Sequence, residues 1–204
     1  MRFDIITIFP KIFDSYLNES ILKRAQEKKI ISIKTHNIRD FTKDRHKTLA
    51  ETSSHLAPRK AKPRAVTDDK PYGGGAGMVQ MAEPIMRAFN AVPKKKKSKT
   101  IILSAKGRQF NQNLAQKWAK LDQLILISGR YEGIDERVKI ALKAEEISIG
   151  PYVLTDGDAA IMVVISAITR LIPGAIKFES LKEESHFKKE LEYPHYTRPE
   201  VLTY

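Results

Sequence analysis

Residues 124–137 read LILISGRYEGIDER. The first five of them, Leu124 to Ser128, are almost continuously apolar, which is typical of a strand buried on both faces of a sheet. Gly129 and Gly133 mark a turn after this strand, and Asp135 is well placed to open a helix behind it. A buried strand that runs through a short turn into a helix is a unit of α/β proteins.

The same alternation of strand-like and helix-like patterns extends along the chain in both directions. It predicts strands at 3–9, 30–35, 100–104, 124–128 and 146–149 and helices at 12–28, 113–121, 134–144 and 159–172. Asp156 or Asp158 is expected to cap the last helix. The sequence therefore predicts an α/β fold with a mostly parallel sheet flanked by helices, and a ligand site in the loops that follow the strands.

Composition excludes several classes of protein. The 204 residues fit one large domain, and 42% hydrophobic with 29% charged residues is ordinary for a globular chain. No stretch approaches the roughly 18 consecutive apolar residues of a membrane helix. The chain has no cysteine, which excludes disulfides, iron–sulfur clusters and thiol nucleophiles. The five histidines lack the spacing of a zinc site, and no metal-binding residues are predicted.

The charge balance is the unusual number. Lys and Arg number 36 against 24 Asp and Glu, a formal net charge of +12, which favours a nucleic-acid partner. Residues 49–66 contain two prolines and a basic core, and we interpret them as an inserted loop that could contact nucleic acid. Residues 93–99 (PKKKKSK) are interpreted as a solvated turn.

Three loops could carry a ligand. Residues 72–78 (YGGGAGM) lack the Lys-Ser/Thr of a phosphate-binding loop, and they fit either a flexible turn or a loop that folds on a ligand. In the turn after residue 128, Tyr131 can stack and Glu132 can accept hydrogen bonds from an amine or a ribose, or the segment is simply a helix start. Residues 147–158 predict a strand and a tight loop whose backbone groups suit an adenine edge, or form an ordinary turn. These patterns alone do not name a reaction.

Taken together and in this order, the motifs resemble the bacterial tRNA (guanine-N1)-methyltransferase (TrmD) family of the SPOUT superfamily. The resemblance runs from residue 1 to about residue 201 and is interrupted near 49–66. It is carried by residues 39–41, 44–46, 68–78, 129–137, 148–150, 152–154, 170–174 and 194–199.

The resemblance implies a SPOUT fold with a deep C-terminal trefoil knot, and a cytoplasmic homodimer with shared active sites that does not enter membranes. It implies methyl transfer from S-adenosylmethionine to N1 of the guanosine just 3′ of the tRNA anticodon (position 37), with magnesium assisting. Residues 1–176 would form the methyltransferase domain. Residues 177–204 would be an interdomain linker and the stub of a helical tRNA-binding domain that is largely absent.

The resemblance also assigns site residues. Arg170 would contact the guanine, and Glu184 would remove the N1 proton as general base. The cofactor-binding residues would be Leu103, Ser104, Gly129, Tyr131, Glu132, Ile149, Gly150, Tyr152, Leu154 and Gly157. The substrate-binding residues would be Arg45, Tyr72, Gly73, Gly74, Gly75 and Gly77.

The chain departs from the family pattern at three residues, one in the linker and two near the third cofactor loop. Glu184 stands where the family has an aspartate, Asp156 where a glycine is usual, and Ala160 where a proline is usual. An alternative function follows from the expected lack of the helical domain. The chain would then be a knotted module that binds S-adenosylmethionine but does not act on tRNA without that domain.

Overall fold

The computed structural model of the chain describes residues 1–42, 66–177 and 194–201. Arg45, Glu184 and almost all of the expected insert at 49–66 lie outside these residues. Numbered in chain order, the strands are β1 Arg2–Thr7, β2 Ser32–Asn37, β3 Asp68–Asp69, β4 Val79–Gln80, β5 Ser98–Gln109, β6 Gln123–Ser128 and β7 Glu145–Ser148. The α-helices are α1 Asp14–Leu17, α2 Ser20–Glu27, α3 Ala82–Ala91, α4 Gln112–Trp118, α5 Glu136–Leu142 and α6 Gly157–Arg170.

Five of the strands form one sheet in the order β2-β1-β6-β5-β7, and every pairing in it is parallel. Strand β6 lies in the middle, and all six of its residues are buried. A continuous apolar strand is what a parallel sheet covered on both faces requires. The α/β fold with a mostly parallel sheet is therefore confirmed. Strands β3 and β4 form a separate antiparallel pair.

Helices cover both faces of the sheet and give two apolar cores. Helices α1, α2, α4 and α6 pack on one face, around Trp118 and Ile165, and α3 and α5 pack on the other, around Ile85 and Val138. Side chains alternate along β1, so that Ile5 enters the first core and Ile6 the second. Each such fully buried aliphatic side chain contributes about 1.5–3 kcal/mol to folding. None of the helices that the structure describes is long and apolar enough to cross a bilayer.

The helix predicted over residues 12–28 is interrupted in the structure. A 3₁₀ turn, Pro10–Phe13, leads into α1, and α2 begins only at Ser20, whose φ is +48°. A left-handed φ at a residue other than glycine ends one helix and redirects the next. The apolar period survives the break because Phe13, Leu17 and Leu22 all reach the same core.

Candidate functional site: a cavity at the ends of three parallel strands

A cavity of about 360 Å³ lies at the carboxyl ends of β5, β6 and β7. After β5 the chain forms β6 on one side of it and then β7 on the other side. In parallel sheets, a crevice opens where successive connections diverge in this way, and ligands bind there. The cavity is within the size range of small-molecule sites.

The first wall is an arch in strand β5. Leu103 and Arg108 both align with Ile147 of β7, so that residues 104–107 bulge out of register between them, and Ser104, Ala105 and Lys106 line the cavity. A Cβ atom on Gly107 would stand 2.5 Å from the backbone nitrogen of Ile147, and only glycine permits this approach. The sequence predicted that β5 would end at Ser104. It continues to Gln109 because its polar second half pairs with β7.

The second wall is the turn between β6 and α5, and strand β4 fixes it. Glu132 N–H donates to the Met78 carbonyl over 3.0 Å, and Gln80 N–H donates to the Gly133 carbonyl over 2.9 Å. The side chain of Gln80 accepts a 3.0 Å hydrogen bond from the backbone of Arg130. The glycine-rich segment, which precedes β4, is thereby joined to the β6–α5 turn, although more than 40 residues separate them.

The third wall is the loop between β7 and α6. Gly157 N–H donates to the Gly129 carbonyl over 2.8 Å, and a Cβ atom on Gly157 would lie 2.9 Å from the nitrogen of Gly129. Asp156 caps α6, since one of its carboxylate oxygens accepts hydrogen bonds from the backbone of Asp158 and Ala159. The other oxygen lies 2.9 Å from the Arg130 guanidinium, which ties the third wall to the second.

Most of the predicted cofactor-binding residues come together around this cavity. Gly150 is the exception. It is buried beneath the ring of Tyr152, whose atoms occupy the space that a Cβ would need. The nine that line the cavity are Leu103, Ser104, Gly129, Tyr131, Glu132, Ile149, Tyr152, Leu154 and Gly157.

Two lysines neutralise two carboxylates on one side of the cavity. Lys139 lies 2.6 Å from Glu146 and 2.9 Å from Glu136, and Lys106 reaches both carboxylates over 3.1–3.5 Å. The hydrogen bonds from Lys139 and Lys106 hold the pKa of Glu136 below its usual value. The hydrogen bond to Glu136 and the nearby charge of Glu146 raise the pKa of Lys106. Each of the two lysines contacts both carboxylates.

Glu132 differs from the other carboxylates around the cavity. Among the described residues that line it, Asp135 pairs with Arg137, Asp156 with Arg130, and the two glutamates with lysines, whereas Glu132 forms no ion pair. Its side chain packs against Gly77, where an added Cβ would stand 2.5 Å from Oε1. Within the described part of the chain, the cavity thus presents one carboxylate without a cationic partner, which suits a cationic ligand.

Comparison with known proteins agrees with this architecture. The family model for tRNA (Guanine-1)-methyltransferase TrmD matches residues 1–55 and 57–204. The chain belongs to this family.

Two relatives show the extent of the similarity. A protein of Carboxydothermus hydrogenoformans named tRNA (guanine-N(1)-)-methyltransferase is 54% identical over 200 residues, which cover 98% of this chain and 72% of the relative. A protein of Thermomicrobium roseum with the same name is 50% identical over 204 residues, which cover 99% of this chain and 69% of the relative. The recognition of the TrmD family from sequence motifs is confirmed.

The residues predicted to bind the substrate in this TrmD-family chain are placed differently from one another. Tyr72 is fully exposed, and Gly73, Gly74 and Gly75 are exposed with φ between +87° and +130°; none of the four lines the cavity. Gly77 packs against the side chain of Glu132, which lines the cavity. Arg170 is the last residue of α6, and Gly157, at the other end of that helix, lines the cavity. Fourteen residues of helix span about 20 Å, so Arg170 does not reach the cavity of its own chain.

A buried acid supports the third wall from behind. Asp158 is fully buried, accepts a 2.8 Å hydrogen bond from the Thr7 hydroxyl and lies 3.6 Å from the Arg130 guanidinium. Burial raises its pKa above the usual range. The Arg130 guanidinium also stacks 4.3 Å from the centre of the Phe9 ring, so the end of β1, the β6–α5 turn and α6 meet around one cation.

Several residues that line the cavity were not predicted from the sequence. They come from the β5 arch, the β6–α5 turn, α5, β7 and the region where α6 begins. Their only signal was a glycine within a polar segment, residues 104–109, directly after an apolar strand. No group of three or more potential metal ligands occurs within residues 1–42, 66–177 and 194–201. The unpredicted lining residues include Lys106, Ile134, Asp135, Glu136, Lys139, Glu146, Asp156 and Ala160.

Proposed function

We propose that this chain transfers a methyl group from S-adenosylmethionine to N1 of the guanosine just 3′ of the tRNA anticodon, position 37. Family membership supports the reaction class. The observation that supports S-adenosylmethionine as the methyl donor is the cavity, in which Glu132 is the single unpaired carboxylate among the described lining residues.

The lining of the cavity fits S-adenosylmethionine. Leu103, Ile149 and Leu154 offer apolar surface for an adenine ring, and the chain around Gly157 offers backbone donors and acceptors. Glu132 can hold a positively charged sulfonium or ammonium group or accept a ribose hydroxyl. When bound, the cofactor supplies a methyl group on a positively charged sulfur, which is a good leaving group.

The protein must also prepare the guanine. N1 of guanine carries a proton at neutral pH, and a carboxylate beside it can accept that proton, the role we propose for Glu184. Loss of the proton places negative charge on O6, which the Arg170 guanidinium would stabilise. Holding N1 in line with the methyl group supplies much of the remaining acceleration.

We propose that the working form is a homodimer with active sites shared between subunits. Arg170 lies about one helix length from the cavity of its own chain, on the evidence of a fourteen-residue α6. If it contacts the guanine, it must do so at the cavity of a second copy. This distance supports an active site shared between two subunits over an active site built within one chain.

The direct test measures tritiated methyl transfer from S-adenosylmethionine to a tRNA transcript with guanosine at position 37. A transcript with adenosine there is the control, and calorimetry gives cofactor affinity in parallel. Transfer only to the guanosine transcript supports the proposal. Cofactor binding without transfer to either transcript would instead favour the alternative, a module that binds the cofactor but does not act on tRNA alone.

Replacement of Arg170 separates its role from cofactor binding. We expect Arg170→Ala to reduce turnover by about a thousandfold or more, because a preorganised donor to a developing oxyanion contributes on that scale. Cofactor affinity should change less than about threefold, since the proposed contact of Arg170 is with the guanine and not with the cofactor. Arg24→Ala, on exposed α2, is the matched control. Unimpaired turnover of Arg170→Ala would exclude the proposed role.

Three further parts of the proposal follow the family. Residues 1–176 form the methyltransferase domain and residues 177–204 belong to an interdomain linker. The enzyme works in the cytoplasm, and magnesium assists the reaction. Removal of magnesium with a chelator should slow methyl transfer and leave cofactor affinity unchanged. Equal rates with and without chelator would contradict the role of the metal.

A further inference from the structure

A run of lysines lies at the amino ends of the strands, on the edge of the sheet opposite the cavity. Residues 94–97 form the turn between α3 and β5, and this turn is anchored at its backbone. Lys95 N–H donates to Gln123 Oε1 over 2.8 Å, and Lys97 N–H donates to an Asp122 carboxylate oxygen over 3.2 Å. Asp122 N–H in turn donates to the Lys97 carbonyl over 3.0 Å.

The anchor extends into the core. Gln123 is fully buried, and its Nε2 donates to Asp4 Oδ2 over 2.6 Å and to the Pro93 carbonyl over 3.0 Å. Asp4 is also fully buried. Burying a carboxylate is unfavourable unless hydrogen bonds compensate it. Here the compensating network also fixes the backbone of an exposed turn. The lysines are thus presented from a defined scaffold.

The turn borders a groove of about 770 Å³, which we call the lysine groove. Lys29, Lys95 and Lys96 line it, and none of the three forms an ion pair with a carboxylate of the described residues. Arg2 lines it too but is paired with Asp4 at 2.6 Å. The one carboxylate in the lining, that of Asp122, accepts the Lys97 backbone hydrogen bond. The groove therefore gathers three lysine ammonium groups against the one carboxylate of Asp122.

We propose that the lysine groove binds the phosphate backbone of tRNA. Lysines without carboxylate partners on a concave surface favour a polyanion, and contacts to phosphates position a nucleic acid without reading its sequence. Binding of phosphates here goes beyond the predicted role of residues 93–99 as a solvated turn. The choice of tRNA among polyanions rests on the proposed function.

The position of the groove agrees with the placement of Arg170. The segment after α6 returns to this edge of the sheet, since an added Cβ on Gly174 would lie 3.3 Å from Ile30 Cδ1, and Ile30 directly follows Lys29. Arg170 and the lysine groove therefore share one edge of the molecule. A tRNA whose target guanine meets Arg170 would bring nearby phosphates to this groove.

The test compares two full-length variants in binding to the unmodified tRNA transcript over a range of salt concentrations. The first combines Lys29→Gln, Lys95→Gln and Lys96→Gln. The control combines Lys23→Gln, Lys34→Gln and Lys117→Gln, three exposed lysines outside the groove, so the net charge falls equally. Circular dichroism checks that both variants fold.

We expect the groove variant to bind tRNA about tenfold or more weakly, and the slope of log Kd against log salt to fall by about 2, because each phosphate contact contributes about 0.7–0.9. The control should retain the slope of the unaltered chain. Equal slopes for the two variants would overturn the proposal. It would also be overturned if the groove variant bound tRNA like the unaltered chain but no longer bound phosphatidylserine vesicles, because the groove would then bind a membrane surface.

The outcomes also separate this proposal from the proposed function. Salt-dependent tRNA binding that requires the groove, without methyl transfer, would leave the groove supported and the reaction refuted. Methyl transfer by both variants with the same KM for tRNA would support the reaction and refute the groove. No measurable tRNA binding by the unaltered chain would refute the groove.

Discussion

Gly157 is the tightest junction between two walls of the cavity. A methyl group there would stand 2.9 Å from the Gly129 nitrogen and 3.1 Å from the Ser128 Cα, and neither backbone atom can move without shifting β6. We expect Gly157→Ala to weaken S-adenosylmethionine binding about tenfold or more by calorimetry, and to lower the free energy of unfolding by about 1–3 kcal/mol through overpacking.

Ala159→Gly, two residues along in the same helix and exposed, is the control for this glycine. It should lower helix stability by about 1 kcal/mol and leave cofactor affinity unchanged, because glycine only loosens the helix backbone. If both variants bound the cofactor as tightly as the unaltered chain, the contact of Gly157 with Gly129 would not shape the site.

Asp4 should make stability depend on pH. Burial alone would raise its pKa, but hydrogen bonds from His36, Arg2 and Gln123 outweigh burial and hold it below the usual value of 3.8. A depressed carboxyl pKa stabilises the fold above that value, and the gain is lost as pH falls through the folded-state pKa. We expect Asp4→Asn to lower the free energy of unfolding by about 2 kcal/mol near neutral pH.

Urea unfolding at about pH 7 and at about pH 3 checks this sign, with the exposed Asp40→Asn as control. The difference between Asp4→Asn and the unaltered chain should shrink at the lower pH, because Asp4 then begins to bind a proton in the native state as well. A difference that stayed constant or grew toward acid would show that the Asp4 network stabilises the fold without its charge.

At the scale of elements, the residue that caps helix α6, Asp156, both stabilises the helix and lines the cavity. Asp156→Ala removes the cap hydrogen bonds and the ion pair with Arg130, whereas Asn111→Ala removes only the cap of α4, a 3.0 Å bond from Leu114 N–H. Both should lower the free energy of unfolding by about 1–2 kcal/mol. Only Asp156→Ala should weaken cofactor binding. Equal cofactor affinities for the two variants would show that the Asp156 cap does not shape the cavity.

Strands and helices with an apolar sequence pattern could be predicted, whereas strand segments that form only because a neighbouring strand pairs with them could not. The apolar segments near 3–9, 124–128 and 159–172 became β1, β6 and α6 with small shifts at their ends. The second half of β5 (residues 105–109) is polar, so no hydrophobic period marks it, and the strand extends to Gln109 because Arg108 and Gln109 pair with β7. Likewise β3 and β4 have two residues each, too few to show a period.

The site was predictable to a similar degree. Loop residues that follow buried strands, such as Gly129 and Ile149, could be placed at one edge because parallel strands end together. The unpaired state of Glu132 could not, since it depends on which lysines reach Glu136 and Glu146 across three elements. Arg170 shows the limit of motif assignment, because its distance from the cavity is known only once α6 is seen as one continuous helix from Gly157 to Arg170.

At the scale of the whole molecule, the proposed shared sites can be tested by complementation. Gly157→Ala impairs the cavity and Arg170→Ala the opposite end of α6, so in a mixed dimer one site carries both defects and the other carries neither. Equal mixing with exchange should yield about half mixed dimers, and so about a quarter of full methyl transfer. Activity no greater than the mean of the two variants alone would refute shared sites.

The arch in β5 makes the backbone itself a reporter of occupancy. Residues 104–107 leave the ladder between two pairings to the same partner, Ile147, and the first three of them border the cavity. Amide hydrogens there should exchange with deuterium quickly in the free protein, while those of Ile101 and Ile102, inside the ladder, stay protected. A ligand that seats against the arch should slow exchange at these four positions, and so reveal binding without any assay of the reaction.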